Sequence, residues 1–334
     1  MTKFLFTLLC LTLFVAVGAV GGLFFLNDPP SQAETYKVVE VPEGTTFSAV
    51  SDLLKREGLI TNRVYFRLLG IWMQSEKKIK PGEYAFHTAM RPTEILDLMV
   101  RGKIVQHQVV IPEGATARQI ARILEEAKLA SSEAFLKVVE DPTLMSEVGI
   151  EGENLEGYLF PDTYQFAKRT PLRDIVRRML MQFIMVYDES LRKRAEEIGM
   201  TQQEVMTLAS IIEKETGHPS ERALIAAVFH NRLKKKMRLQ SDPTVIFAMA
   251  DFNGNITKKD LSIPSPYNTY RFGGLPPGPI ANPGKESLRA ALYPAEVDYL
   301  YFVSRNDGTH FFSNTLREHN GAVNKYQKQP RKRV

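Results

Sequence analysis

The sequence predicts a mixed α+β protein built as an N-terminal transmembrane helix, small α+β modules and then a mixed α+β domain that carries the chemistry. Three observations lead there. Phe4 to Leu26 contains no charged residue. A strand, turn and helix pattern at Val39 is repeated 70 positions later at Val109. From about Asn154 the texture changes to long helical patterns followed by a stretch dense in Pro, Gly, Asn and Tyr. At 334 residues the chain exceeds the usual single-domain size, which leaves room for two or three modules.

Residues 1–3 read as a cytoplasmic N-terminus and 4–26 as a retained membrane anchor, since the apolar run through Phe24-Phe25-Leu26 is too long for a cleaved signal peptide. Lys3 before the span and Asp28 after it place the rest on the extracytoplasmic side, at the cytoplasmic (inner) membrane as a single-pass protein. A linker covers 27–36. The repeat aligns Val39-Glu40-Val41-Pro42-Glu43-Gly44-Thr45-Thr46 with Val109-Val110-Ile111-Pro112-Glu113-Gly114-Ala115-Thr116. The helices after it match too, Val50, Leu53, Leu54 and Leu59 against Ile120, Ile123, Leu124 and Leu129. In the first copy Asn62 caps a second helix to Trp72, and Lys80-Pro81-Gly82 turns into a returning strand. That strand-helix-helix-strand order resembles a LysM-like carbohydrate-binding module over 37–105, with a second repeat-like α+β module over 106–153. A spacer without glycan contact is the plainer reading, because fold does not fix function.

The third domain is expected over 154–326, before a basic tail at 327–334. Glu156-Gly157-Tyr158-Leu159-Phe160-Pro161 marks its start as an ordered loop or edge strand. Helices follow at about Pro171 to Ile198, Gln202 to Thr216 and Glu221 to Lys236, the last with Ser220 as cap. A long stretch without regular structure comes next, a feature that is usually functional. The chain finishes with strands around Tyr299 to Val303 and His310 to Ser313, joined through Asn306-Asp307-Gly308, and a helix to about Tyr326.

Composition excludes several chemistries. The single cysteine, Cys10, allows neither an intrachain disulfide nor a cysteine metal site. The six histidines show no His-Glu-x-x-His pair, so neither metal nor cofactor is expected. There is no Gly-x-Ser-x-Gly elbow and no phosphate-binding glycine loop. The net charge of +5 is spread over solvated ends such as Lys234-Lys235-Lys236 and Arg331-Lys332-Arg333, and no aromatics interleave with a basic face, so nucleic acid is not a partner.

What remains is one carboxyl group. On a helix Glu215 follows Ile212, Ile211 and Leu208 at three, four and seven residues, so it points with the apolar stripe, while Glu213 lies about 200° away and faces outward with Lys214. A carboxyl group among aliphatic side chains resists ionising, which suits a general acid near neutral pH. A buried glutamate held by an arginine or a helix N-terminus is the structural alternative. Beside it lie Gln240, Ser241, Asp242 and Thr244, then Tyr267, Asn268, Thr269 and Tyr270, then Gly274, Pro276 and Asn282. Their amides, hydroxyls and flat rings suit a sugar substrate.

Taken together, Leu208 to Thr216, Asn231-Arg232-Leu233, Leu239 to Val245, Tyr267-Asn268-Thr269-Tyr270, Gly274 to Ile280, Gly157 to Tyr164 and His310-Phe311-Phe312 with His319-Asn320 resemble the YceG-like endolytic murein transglycosylases over essentially the whole chain. Gly217-His218-Pro219 is a small departure that affects loop detail. The resemblance implies endolytic cleavage of the MurNAc-β-1,4-GlcNAc bond in peptidoglycan glycan strands, 1,6-anhydromuramic ends, partnership with glycan-polymerising synthases, and a catalytic role for Glu215. Two other readings stay open: a hydrolysing muramidase with Asp242 as second carboxylate, and a non-catalytic glycan-binding scaffold.

Overall fold

The structure is a computed structural model that describes residues 22, 25–249 and 251–328. The expected anchor falls outside the described residues except for Gly22, Phe25 and Leu26, and the basic tail does so except for its first two residues. Among the described residues no helix is long and apolar enough to cross a membrane. The fold is mixed α+β, and the described residues fall into two compact units, the first ending at His107 and reclaiming Gln165–Arg169, the second holding Gln108–Tyr164 and everything from Thr170.

In unit 1, β1 (Tyr36–Val41) leads through the Pro42-Glu43-Gly44 turn into α1 (Phe47–Arg56), then α2 (Arg63–Trp72) and β2 (Gly82–His87). β1 and β2 pair antiparallel from Tyr36↔His87 to Val41↔Gly82. The period of two along β1 puts Val39 and Val41 into the core, where they meet Val50, Leu54, Phe66 and Leu69 from the helices. A further helix, α3 (Pro92–Arg101), adds Ile95, Leu96 and Met99 to the same core. Residues 165–169 join from far along the chain, with Arg169 Nη2 donating to Glu40 at 2.6 Å and Lys168 Nζ to Glu83 at 2.9 Å.

Unit 2 holds α4 (Ala117–Glu126), α5 (Ser132–Val139), α6 (Pro142–Glu147), α7 (Leu172–Val186), α8 (Glu189–Glu197), α9 (Gln202–Glu215), α10 (Arg222–Lys234), α11 (Asp242–Ala248) and α12 (Lys285–Leu292). It closes with β5 (Tyr301–Ser304), antiparallel to β6 (His310–Ser313), and α13 (Leu316–Val323). β3 (His107–Val110) pairs with β4 (Thr163–Phe166).

Several expectations need correction. Residues 106–153 do not form a module of their own: Leu155 N–H bonds to Val139 O at 3.0 Å, and Ala115 bridges to Asn282, so this stretch belongs to the core of unit 2. The helix expected over 171–198 is two, because Asp188 caps a new start by accepting from Leu191 N–H at 3.1 Å. Ser220 does not cap α10; it lies in a short 3-10 turn, Pro219–Glu221, with its Oγ on His218 Nδ1 at 2.9 Å. The stretch after residue 240 is not structureless, since α11 and α12 lie within it.

Candidate active site

α9 is set by its two ends. Thr201 Oγ1 accepts from Glu204 N–H at 3.2 Å while the Glu204 carboxylate accepts from Thr201 N–H at 2.8 Å, a reciprocal cap that starts the helix. Val205 to Ile212 are all buried, so the helix is a core element on every side. It stops at Glu215 because Thr216 is extended at φ −143°, and Gly217 and Pro219 follow.

That ending leaves Glu215 on the last turn, half-buried, where the negative end of the helix dipole opposes its ionisation. Burial, helped by the negative charge of Asp242, pushes its carboxyl up to about 7, against the opposing effects of a hydrogen bond from Ser241 and the positive charge of Arg232. Ser241 Oγ donates to Glu215 Oε1 at 2.5 Å. Ser241 is itself fixed: its N–H donates to Thr269 Oγ1 at 3.0 Å, its carbonyl accepts from Thr244 Oγ1 at 2.6 Å, and the two threonine hydroxyls meet at 2.8 Å. Two threonine hydroxyls therefore hold the serine donor against the acid.

Arg232 supports the approach to Ser241. Its buried guanidinium donates to Leu239 O and Leu300 O, each at 2.7 Å, and lies over the Tyr301 ring at 5.2 Å. Gln240 is exposed with φ +52°, a left-handed conformation uncommon outside glycine, and its N–H reaches Thr269 O at 3.2 Å. Asp242, exposed at the first turn of α11, accepts from Tyr270 Oη at 2.5 Å, and burial together with that bond pushes the Tyr270 hydroxyl above its ordinary value. Asn268 is buried, donating to Leu261 O and Ile263 O and accepting from Tyr270 N–H. It shapes the loop from within.

The remaining residues singled out by sequence lie elsewhere. Tyr267 packs on Phe247 with ring centres 5.0 Å apart, and its hydroxyl is pushed up by burial. Segment 277–284 runs alongside α9, since Gln203 Nε2 donates to Pro277 O at 2.7 Å, Ile280 N–H to Ser210 Oγ at 3.0 Å and Gly284 N–H to Glu213 at 2.9 Å. Gly274 and Pro276 therefore sit at the start of α9, with Thr201, Glu204, His230 and Lys234 around a cavity of about 660 Å³. At ~1.5 Å per residue they lie roughly three helical turns from Glu215. Asn282 is fully buried and engaged at both ends of its amide, accepting from Leu159 N–H and donating to Ala115 O and Glu156.

Glu213 corrects the sequence reading. Its side chain is 6% exposed, and it accepts from Gly284 N–H and faces Arg222 at 3.5 Å, while the exposed neighbour Lys214 donates to Gly114 O. With Val205 to Ile212 all buried the helix has no continuous solvent stripe, and Glu213 meets Arg222 and Gly284 instead of water. Sequence reasoning also missed Glu156, which burial pushes up to about 7 although Ala117 N–H and Asn282 both donate to it. Its only signal was its place at the head of the Gly157-Tyr158 motif.

One partly protonated carboxyl at neutral pH, held by a fixed hydroxyl donor on a core helix, defines a general-acid site in a mixed α+β scaffold. The chain belongs to the YceG-like family, matching it over residues 39–325. A Bacillus subtilis protein named endolytic murein transglycosylase is 34% identical over 331 residues, covering 92% of this chain and 91% of its own. A Streptococcus pneumoniae protein of the same name is 28% identical, and the match spans 93% of this chain but 63% of the longer relative. The crystal structure of a yceG-like protein from Listeria monocytogenes superposes with a TM-score of 0.62 at 36% identity, covering 86% of this chain and 98% of that one.

Proposed function

We propose that this protein is a membrane-anchored endolytic lytic transglycosylase of peptidoglycan. It cleaves the MurNAc-β-1,4-GlcNAc bond and leaves a 1,6-anhydroMurNAc end, with Glu215 as acid and then base. One observation carries the reading: a carboxyl pushed up to about 7 and held by Ser241 at 2.5 Å, in a chain 34% identical to a protein named endolytic murein transglycosylase.

Protonated Glu215 gives its proton to the glycosidic oxygen as the C1–O4 bond breaks, and the sugar's own acetamide stabilises the charge left on C1. The Glu215 carboxylate then takes the C6 hydroxyl proton as O6 bonds to C1, so no water is consumed. Two-carboxylate glycosidases recruit a second group or a water. Here the nucleophile is already tethered to the reacting sugar, which removes the entropy of bringing it in. Ser241 donates best to the ionised form and so steadies the carboxylate between the two proton transfers.

Gln240, Asp242 and Tyr270 are the side chains we assign to sugar contact beside Glu215, with Thr244, Asn268 and Thr269 holding them in place, and Tyr267, next to Gly278, is assigned to a more distant part of the strand. Gly274 and Pro276 would meet only a strand extending well beyond the scissile bond, and Asn282 serves as an internal joint. Phe4 to Leu26 anchors the chain in the cytoplasmic membrane with the catalytic unit on the extracytoplasmic side, near the synthases that polymerise glycan. Unit 1, with its strand-helix-helix-strand order, acts as a LysM-like tether that raises local substrate concentration without changing the bond-breaking step.

The test is digestion of purified peptidoglycan followed by mass spectrometry. The expected fragments end in a sugar lighter by one water than a hydrolysed reducing end. Reducing ends would favour a muramidase with Asp242 as second carboxylate, and no cleavage would favour a scaffold.

A further inference from the structure

Unit 1 carries an apolar face that its own fold leaves bare. α2 turns Tyr65, Phe66, Leu69 and Gly70 into the core. At 100° per residue Val64, Leu68, Ile71 and Trp72 fall on the opposite side, where they are 56%, 57%, 54% and 81% exposed. A single exposed aliphatic residue is ordinary, but four in one stripe mark a contact surface.

The helix cannot roll to hide the stripe. At Gly70 a Cβ would come within 2.2 Å of the Phe47 ring, so the backbone is pressed against α1 at that point. Asn62 caps the first turn through Val64 N–H and Tyr65 N–H at 2.9 and 3.0 Å. Arg63 and Arg67 border the stripe, each paired with Asp52, and Lys77 and Lys78 are exposed just beyond its end.

Continuity of the chain indicates what covers this face. Phe4 to Leu26 has no charge and is long enough to cross a bilayer, and Leu26 packs against the core of unit 1. On the proposed anchoring, on which this inference rests, the bilayer begins where unit 1 begins. Aliphatic side chains and a tryptophan on one face of a helix, with cations at its border, suit the boundary between headgroups and acyl chains. We propose that α2 docks into the lipid interface of the anchoring membrane through Val64, Leu68, Ile71 and Trp72. This fixes the orientation in which unit 1 leaves the bilayer.

Trp72 is the only tryptophan in the sequence, so it reports on itself. The full chain is reconstituted into phospholipid vesicles containing anionic lipid, with and without brominated acyl chains. Expected are flotation with the vesicles, blue-shifted Trp72 emission, quenching by the brominated lipid and protection from aqueous iodide. Leu68→Glu with Ile71→Glu should float equally but show red-shifted emission open to iodide, with circular dichroism confirming the fold. Failure to float overturns the anchor and the docking together. Flotation with Trp72 open to iodide and untouched by brominated lipid overturns the docking and leaves the anchor standing. Shielding of Trp72 that appears only at high protein density, without lipid quenching, assigns the stripe to a second copy and also overturns the proposal.

Discussion

The two copies of the Pro-Glu-Gly turn follow the same local rules and serve different ends. In each, the residue after the glycine returns its N–H to the proline carbonyl, Thr45 to Pro42 at 3.3 Å and Ala115 to Pro112 at 3.2 Å. In each, a threonine then caps the helix, Thr46 for Ala49 N–H and Thr116 for Gln119 N–H, both at 3.2 Å. The first turn faces open space, with Glu43 exposed and nothing within 4 Å of where a Gly44 side chain would stand. The second is built into unit 2. Gly114 N–H donates to Asn282 O at 2.8 Å, Gly114 O accepts from Lys214 Nζ at 3.1 Å, and Glu113 lies 3.7 Å from Arg222. Lys214 is the neighbour of Glu215. A motif that ends a strand in unit 1 therefore also braces the end of the acid-bearing helix in unit 2.

The largest expected effect falls at the braced helix end. Glu215→Gln keeps shape and loses the proton, so peptidoglycan cleavage should fall by about a hundred- to ten-thousand-fold with unchanged circular dichroism. Cleavage at the wild-type rate would remove the acid from its role. Next comes Glu156, whose carboxylate takes the Ala117 N–H at the start of the second copy's helix. Its folded pKa is raised from 4.5 to about 7, so its stabilising contribution is present below the unfolded value and lost as pH rises through about 7. That loss amounts to about 3 kcal/mol. Glu156→Gln should flatten the decline of stability between pH 4.5 and 7, read from denaturant unfolding at several pH values; an unchanged slope would show that Glu156 does not titrate there.

Legibility in the sequence followed the same divide. Local grammar was readable: both Pro-Glu-Gly turns, the Asn62 cap of α2 and the long α9 are all stated by short-range residue types. Position around α9 was not. The apolar stripe argument assumes one wet side, and Val205 to Ile212 are all buried, so Glu213 could be placed only through Arg222 and Gly284, which are distant in sequence. α11 was hidden inside the stretch expected to lack regular structure, although the proline of Asp242-Pro243-Thr244 is at home in a helix's first turn. Asn282 was legible as polar but not as buried, since its contact with Ala115 spans 167 positions.

Glu213→Gln sharpens the comparison against its exposed counterpart region. It weakens the pairing with Arg222, whose Nε has no partner, and should destabilise unit 2 by about 1–3 kcal/mol by thermal or denaturant unfolding. Glu43→Gln, in the free turn, should leave stability unchanged. Smaller still is the glycine pair. Gly44 and Gly114 have φ of +75° and +72°, so alanine at either should destabilise its unit by about 1–2 kcal/mol. Only Gly114→Ala, whose new methyl meets Glu213 Cγ at 3.3 Å, should also reduce cleavage by the folded protein. Equal loss of activity in both would mean that the bracing has no bearing on catalysis.

The finest effect is a displacement along the pH axis, and it tests whether the braced acid titrates as its surroundings require. Cleavage needs Glu215 protonated in the free enzyme, so kcat/KM should fall on the alkaline side of a limb near its raised value of about 7. The Ser241 hydroxyl favours the ionised form and the Asp242 charge opposes it. Ser241→Ala removes a donor to a charged group, so the limb should move up by about one pH unit. Asp242→Asn removes a negative charge, and the limb should move down. Both variants change the same carboxyl from opposite sides, which separates a pKa effect from general damage: damage lowers the plateau in both, whereas titration moves the two limbs apart. Limbs that stay together would mean that kcat/KM reports some group other than Glu215.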